Sequence, residues 1–275
     1  MNTSGRDLLS KLPPSSKERI FKFLNFVKPQ HLIFIATFGA VPNDEVIPII
    51  TKFREPNEKS QVKLNSLCIA IEQANKKMLW PVRPKLRFIE GMSGQSFRYV
   101  LNKLISFGDG YLEIGTWRGS TACSALNGNQ IDAWLIDDWS EFGGPATSAL
   151  SNISKFVSKR SRLSIVSQDF KLVDYKATIT NEVNVYLFDG PHSQSDHVEG
   201  VKVINSLDFE TLMFVVDDWN WKDVQIGTLA GLEQLDAELI YKIEIFPKST
   251  RRFQYSRWHN GYCFLILENT KTGSI

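Results

Sequence analysis

Residues 111–126 read YLEIGTWRGSTACSAL, and the fold turns on how that stretch is read. A short apolar run ends at Glu113 and Gly115, and a second glycine, Gly119, opens a segment with helical spacing. The pattern predicts a strand, a tight turn and a helix. Such a turn presents backbone N–H groups at the start of a helix, where a ligand can be held closely. In open α/β sheets, ligands bind beyond the carboxyl ends of the strands near the switch in strand order, so this turn is the first place to look for a site.

Working outward, SGQSFRYVLNKLIS (93–106) carries apolar residues at Phe97, Val100, Leu101, Leu104 and Ile105, an amphipathic helix leading into the central strand. Downstream, strands are expected near 111–114, 131–136, 162–167, 183–188, 211–217, 238–246 and 261–268. Helices fall near 119–127, 145–158, 195–206 and 224–235, with a shorter one near 171–178. This alternation predicts an α/β fold with a seven-stranded, mostly parallel, doubly wound sheet. The last two strands are joined by PKSTRRFQYSRWHNG without a helix, which predicts an antiparallel β-hairpin at the sheet edge.

Residues 1–90 are read as a mainly helical segment that caps the site, forms a subunit interface or covers a sheet edge; residues 91–275 are the main domain. One helix is expected after Pro13-Pro14, with Ile20, Phe21, Phe23, Leu24 and Val27 on its apolar face. A second is expected over Gln61 to Lys77, burying Val62, Leu64, Leu67, Ile69, Ile71 and Ala74. Trp80-Pro81-Val82-Arg83-Pro84 reads as an extended connector.

Composition narrows the function classes. At 275 residues, with 43% hydrophobic and 23% charged residues, the chain has the balance of a soluble globular protein. A net charge of +2 argues against a nucleic-acid partner, which usually leaves a clustered basic footprint. The three cysteines, Cys68, Cys123 and Cys263, indicate neither a disulfide framework nor a metal knuckle and suggest a reducing, cytosolic compartment. The early apolar run from His31 to Val41 is about half the ~20 residues of a membrane span, so it is read as buried and no membrane partner is expected.

The turn itself reads Gly115-Thr116-Trp117-Arg118-Gly119-Ser120. A dinucleotide fingerprint needs glycine where Trp117 stands, so that backbone can approach a pyrophosphate. That disfavours an NAD(P)-dependent oxidoreductase and leaves room for a nucleoside ligand without pyrophosphate. Arg118 reads as a solvated turn residue.

The spacing Glu113-x-Gly115-x-x-x-Gly119 after the first strand resembles motif I of the class I S-adenosylmethionine-dependent methyltransferases, and the seven strands ending in a hairpin resemble that family's sheet. The resemblance covers roughly residues 93–268. It implies S-adenosylmethionine as cofactor, held by Glu113, Gly115, Thr116, Trp117, Gly119 and Ser120. It also implies that Asp137, or its neighbour Asp138, accepts from the ribose hydroxyls. Asp169 would bond the adenine amino group while Phe170 packs on the ring. Asp189, in VNVYLFDGPH, and Asp217 with Asp218, in TLMFVVDDWNW, end two strands that are neighbours in that family's order. Three like charges there would repel unless neutralised, which suggests Mg²⁺ on Asp189, Asp217 and Asp218. The nearest likeness is to metal-dependent O-methyltransferases of the catechol and sugar type, hence a small-molecule acceptor.

His192, just past the fourth strand, is the candidate base, and Asp189 is counted with it as catalytic as well as cofactor-binding. For His192 helix-start capping stays open beside catalysis; His197, one helical turn further on, could face the same cleft but is read as structural. Trp139, Phe142, Trp219, Trp221 and Trp258 gather where an acceptor would enter, or else pack the N-terminal segment; Arg251, Arg252 and Arg257 leave an acidic acceptor open. A non-catalytic nucleoside-binding protein of the same fold stays open beside the enzyme, as does a homo-oligomer formed through the N-terminal segment.

Overall fold

The computed structural model describes residues 46–76, 86, 89–105, 110–247 and 258–270, together with the backbone of 33–35. Its nine strands are β1 (Ile33–Ile35), β2 (Ile49–Lys52), β3 (Gly110–Ile114), β4 (Asp132–Ile136), β5 (Arg162–Val166), β6 (Val185–Phe188), β7 (Thr211–Val216), β8 (Ala237–Ile245) and β9 (Tyr262–Asn269). The α-helices are α1 (Glu58–Lys76), α2 (Gln95–Ile105), α3 (Ser120–Leu126), α4 (Ala146–Phe156), α5 (Tyr175–Thr178), α6 (Gln194–Lys202) and α7 (Lys222–Leu232).

The strands form one sheet in the order β1-β2-β8-β9-β7-β6-β3-β4-β5. From β7 to β5 the neighbours are parallel, whereas β9 runs antiparallel to both β7 and β8. Strands β3, β4, β6 and β7 are buried along their whole length, because helices cover both faces. Alternate residues feed two cores: Tyr111, Val185, Leu187, Met213 and Val215 pack on one face with α1, α2 and α3. Leu112, Ile114, Tyr186, Phe188, Phe214 and Val216 pack on the other with Val201 of α6 and Val224 of α7.

The chain leaves β3 toward β4 and β5 and then returns to β3's other side through β6, so the switch in strand order lies between β3 and β6. Gly115 and Asp189 follow directly on those two strands. Their backbones touch: a Cβ built on Gly115 would sit 1.8 Å from the Asp189 carbonyl oxygen.

Two expectations are corrected. The terminal antiparallel hairpin is present, with β9 between β7 and β8, but it does not lie at the sheet edge, because β2 and β1 pair on the far side of β8. Its residues Tyr262 to Leu267, YCFLIL, are all buried, and a strand so apolar on both faces is unsuited to an exposed edge. The edge beyond β8 is extended by β2 and β1, so the N-terminal segment contributes strands as well as helix. The second correction concerns α1. It buries Leu64, Leu67, Ile71 and Ala74, one face at helical spacing, while Val62 and Ile69 fall on the other face and are about half exposed. The helix expected after Pro13-Pro14, the connector at 80–84 and the arginines of 251–257 lie outside the described residues. Among the described residues no helix is long and apolar enough to cross a membrane.

Candidate functional site

The turn after β3 is built by two glycines in the left-handed region, Gly115 at φ 91° and Gly119 at φ 77°. Gly119 N–H donates to the Thr116 carbonyl at 2.7 Å and closes the turn, and Gly115 N–H donates to Ile136 O of the adjacent strand at 3.0 Å. Between them Trp117 also takes a positive φ, 44°, a conformation costly for a bulky residue. Asp137 holds it there, since its carboxylate accepts from Trp117 N–H and from Trp139 N–H, both at 2.6 Å. Burial raises the Asp137 pKa against those two bonds. Asp138 instead accepts from Ser140 within its own loop.

Positive φ at a non-glycine residue is rare, and here it occurs at Trp117, Trp139, Phe142 and Asp218 among the described residues. The first three sit around the same turn and the fourth at the end of β7. Such strain persists only where the surrounding structure holds it in place.

Over the carboxyl ends of β3, β4, β5 and β6 lies a cavity of about 280 Å³. Gly115, Thr116, Trp117, Ser120, Asp137, Asp169, Phe170, Asp189 and His192 all line it, so nine of the expected site residues are brought together. Buried in this region with no partner are Thr116 Oγ1 and Trp117 Nε1.

Glu113 does not line the cavity. It is wholly buried beneath the turn, where it accepts from Thr121 Oγ1 at 2.7 Å and from the Tyr111 hydroxyl. Burial pushes its carboxyl up to about 7 despite those bonds. Its part is to anchor the start of α3 from below. Gly119 is likewise absent from the lining and serves the turn through its backbone angle.

Asp169 lines the cavity, but one of its oxygens is engaged as a cap, accepting from Lys171 N–H at 3.0 Å. Phe170 is 5% exposed and meets Phe188 edge to face at 5.3 Å, so its ring belongs mainly to the core.

The acid cluster differs from the expected trio. Asp189, His192 and Asp218 bring one ligand atom each within 4.8 Å of one another, and Asp217 is not part of that group. Asp217 is 3% exposed, accepts from Asp218 N–H at 2.7 Å and hydrogen-bonds the Asp189 carboxyl. Burial and the neighbouring charges raise both Asp189 and Asp217 well above the ordinary carboxylate range. Asp218 goes the other way: burial opposes its charge, but His192, Asn260 and His259 together hold its carboxyl low. Asn260 Nδ2 donates to it at 2.6 Å.

His192 Nε2 lies 2.7 Å from Asp218 Oδ2, yet the ring N–H is not directed along that line and makes no well-aligned hydrogen bond. Burial lowers the His192 pKa, and the contact with Asp218 more than reverses this. His197 is a core residue: 2% exposed, with Nδ1 3.2 Å from Thr228 Oγ1 and its ring edge-on to Phe188.

The aromatics divide. Trp219 and Trp258 are buried, with indole N–H groups donating to Glu244 at 2.9 Å and to Asn75 of α1 at 3.3 Å. Phe142 and Trp221 are exposed, Phe142 on the cavity wall and Trp221 at 4.8 Å from the His192 ring. Arg118 pairs with Glu90 at 3.4 Å and covers the Trp117 ring.

Sequence reading missed Met92 and Ser93, which reach the cavity from the loop before α2, and Ser140, Glu141 and Lys171. The glycine at 91 was the available signal for the first two. A Cβ there would fall 2.0 Å from Ser120 Oγ, so only glycine lets that loop close on the turn.

No family model and no curated protein sequence matches the chain. Solved structures do. The O-methyltransferase from Bacillus cereus in complex with SAH is 13% identical at a TM-score of 0.45, over 78% of this chain and 92% of that one. The O-methyltransferase TomG from Streptomyces achromogenes, in complex with SAM, is 15% identical at 0.41, over 78% and 91%. A candidate RNA methyltransferase from Pyrococcus horikoshii is 9% identical at 0.42, over 75% and 97%. At such identities and scores the likeness by itself decides nothing about this chain.

Proposed function

We propose that this chain is an S-adenosylmethionine-dependent methyltransferase that methylates an oxygen of a small molecule. The observation that carries the reading is the cavity at the switch point, where the glycine turn, Asp137, Asp169 and Asp189 face one space. The cofactor's residues fit: Thr116 Oγ1 and Trp117 Nε1 are buried donors left without partners, and a polar ligand in the cavity would satisfy them. Trp117 speaks against NAD(P), because its side chain and its N–H, already given to Asp137, leave no bare backbone for a pyrophosphate. A small acceptor is favoured over a polyanion because Asp137, Asp138, Glu141, Asp169 and Asp189 all line the cavity.

The cofactor supplies an electrophilic methyl on a sulfonium, whose positive charge suits an acid-lined cleft. Asp137 has lone pairs left for ribose hydroxyls after its two backbone bonds. His192, at the Asp189 side of the cavity, accepts the acceptor's hydroxyl proton at a ring nitrogen, and Asp218 stabilises the imidazolium that results. Phe142 and Trp221 offer exposed apolar surface beside it for the acceptor.

A divalent cation is the alternative to His192 acting as base, since an imidazole nitrogen that ligates a cation cannot also take the proton. Asp189, His192 and Asp218 would hold it, and the off-line approach of His192 Nε2 to Asp218 fits two donors that converge on a third body. It would supply positive charge that acidifies a bound hydroxyl. Two carboxylates and an imidazole suit Mn²⁺ at least as well as Mg²⁺.

Calorimetry with S-adenosylhomocysteine and, separately, NAD⁺ tests the cofactor: binding of the first and not the second is expected, and failure to bind S-adenosylhomocysteine refutes the proposal. Transfer of labelled methyl to hydroxylated acceptors separates an enzyme from a binding protein. Asp218→Asn should remove any cation-dependent turnover, and unchanged activity in EDTA would take the cation out of the mechanism.

A further inference from the structure

We propose that Arg98, acting through Ser93 and Ser120, forms a carboxylate subsite of the cleft; resting on the reading above, its occupant is the α-carboxylate of the cofactor's amino-acid portion. Arg98 lies on α2 and is 0% exposed. Its Nε donates to Ser93 Oγ at 2.8 Å and its Nη1 to the Ile89 carbonyl at 3.2 Å, while Nη2 has no partner. No carboxylate among the described residues forms an ion pair with it. A guanidinium stays charged in proteins, and a buried charge without a counter-ion costs several kcal/mol. Burial pulls this one down only to about 10, so it is cationic at neutral pH.

The direction of the hydrogen bonds says where that charge is felt. Ser93 Oγ accepts from Arg98, so its own hydrogen must go elsewhere. The available protein acceptor, Ser120 Oγ, is 3.5 Å away, at the limit of a hydrogen bond. Both serines line the cavity, whereas Arg98 does not touch it. The arginine therefore polarises a pair of hydroxyls that can donate to a ligand. Gly91 closes the arrangement from above, since a Cβ there would fall 2.4 Å from Arg98 Nη2 as well as on Ser120.

The rest of the lining makes this corner distinctive. Five acids face the cavity elsewhere, and the lysine of its lining, Lys171, is already paired with Asp196. An anionic group on an otherwise cationic ligand is thus drawn to the Ser93–Ser120 corner, while acids surround the remainder. Arg98 is a positioning residue in this scheme: it sets the donor direction of Ser93 and supplies the charge behind it.

The test compares two ligands that differ at the carboxylate. S-adenosylhomocysteine carries it, and 5′-methylthioadenosine keeps the nucleoside and sulfur without it. By calorimetry on the full chain, Ser93→Ala should weaken S-adenosylhomocysteine by about tenfold, the loss of one charge-assisted hydrogen bond, and leave methylthioadenosine within about twofold. Arg98→Met should produce the larger selective loss, and Arg98→Lys should recover part of it. Ser93→Ala is a small change that keeps the test available where an arginine variant fails to fold. Equal losses for both ligands, or unchanged S-adenosylhomocysteine affinity in Ser93→Ala, overturn the subsite and leave the cofactor reading standing. If the wild-type chain binds neither ligand, the cofactor reading falls and takes this assignment with it.

Discussion

Replacing His197 with glutamine should change how the protein responds to acid, and by an amount the structure sets. The imidazole is buried inside α6, with Nδ1 against Thr228 and Nε2 unpartnered. Burial, with the nearby charge of His192 added, pulls its pKa from 6.5 to about 4. Between those values the unfolded chain binds a proton that the folded chain does not, so stability is lost as pH falls through that window and is regained above 6.5. A gap of about 2.5 pH units, at about 1.4 kcal/mol per unit, is about 3.5 kcal/mol. Glutamine fills a similar space, can still meet Thr228, and does not titrate. Urea unfolding at a series of pH values from 4 to 8 supplies the readout, as the difference between variant and wild type. The variant should gain on the wild type steadily from pH 6.5 downward, by up to about 3.5 kcal/mol. Parallel stability curves across that range would refute the placement of His197 as a neutral core residue.

Glu113 should behave in the opposite sense. Its folded pKa of about 7 lies above the ordinary 4.5, so it contributes stability below pH 4.5 that disappears as pH rises through 7; relative to wild type, Glu113→Gln should gain by about 3.5 kcal/mol over that interval in the same urea series. Thr116→Val removes an unpartnered buried hydroxyl, so the free protein should melt no lower, and up to about 1 kcal/mol more stably, while S-adenosylhomocysteine binds about tenfold more weakly by calorimetry. Loss of stability together with unchanged binding would show that the hydroxyl serves the fold and not a ligand.

Much of the sheet was legible because each parallel strand is a short apolar run bounded by turn residues, and because Gly115 and Gly119 mark a turn with few alternatives. The order of the last strands was not. A run such as YCFLIL announces burial on both faces, but whether it sits inside or beside its hairpin partner depends on pairing across some fifty residues of chain with β7. The site followed the same division. Acids at strand ends could be found one by one, since each closes its own apolar run. Which of the two acids after β7 reaches His192 depends on a one-residue step: Asp218 turns toward it through a positive φ, and Asp217 bonds Asp189. Arg98 was hidden by its setting in an amphipathic helix, where an arginine ordinarily reads as part of the solvent face.

The insertion of β9 also bears on how the protein reaches this state. Strand β7 cannot gain its outer neighbour until residues 262–269 arrive, and β8 meets the body of the sheet only through them. Residues 49–52 in turn join the sheet only through β8. The parallel half from β5 to β7 can therefore assemble first, with one long apolar edge open to solvent until the final strand slots in. Such contacts between distant parts of the chain are slow to form, and an open strand edge is where chains associate wrongly. The step that completes the molecule is thus also the step at which aggregation competes, and mutations in Tyr262 to Leu267 should register in refolding yield before they register in activity.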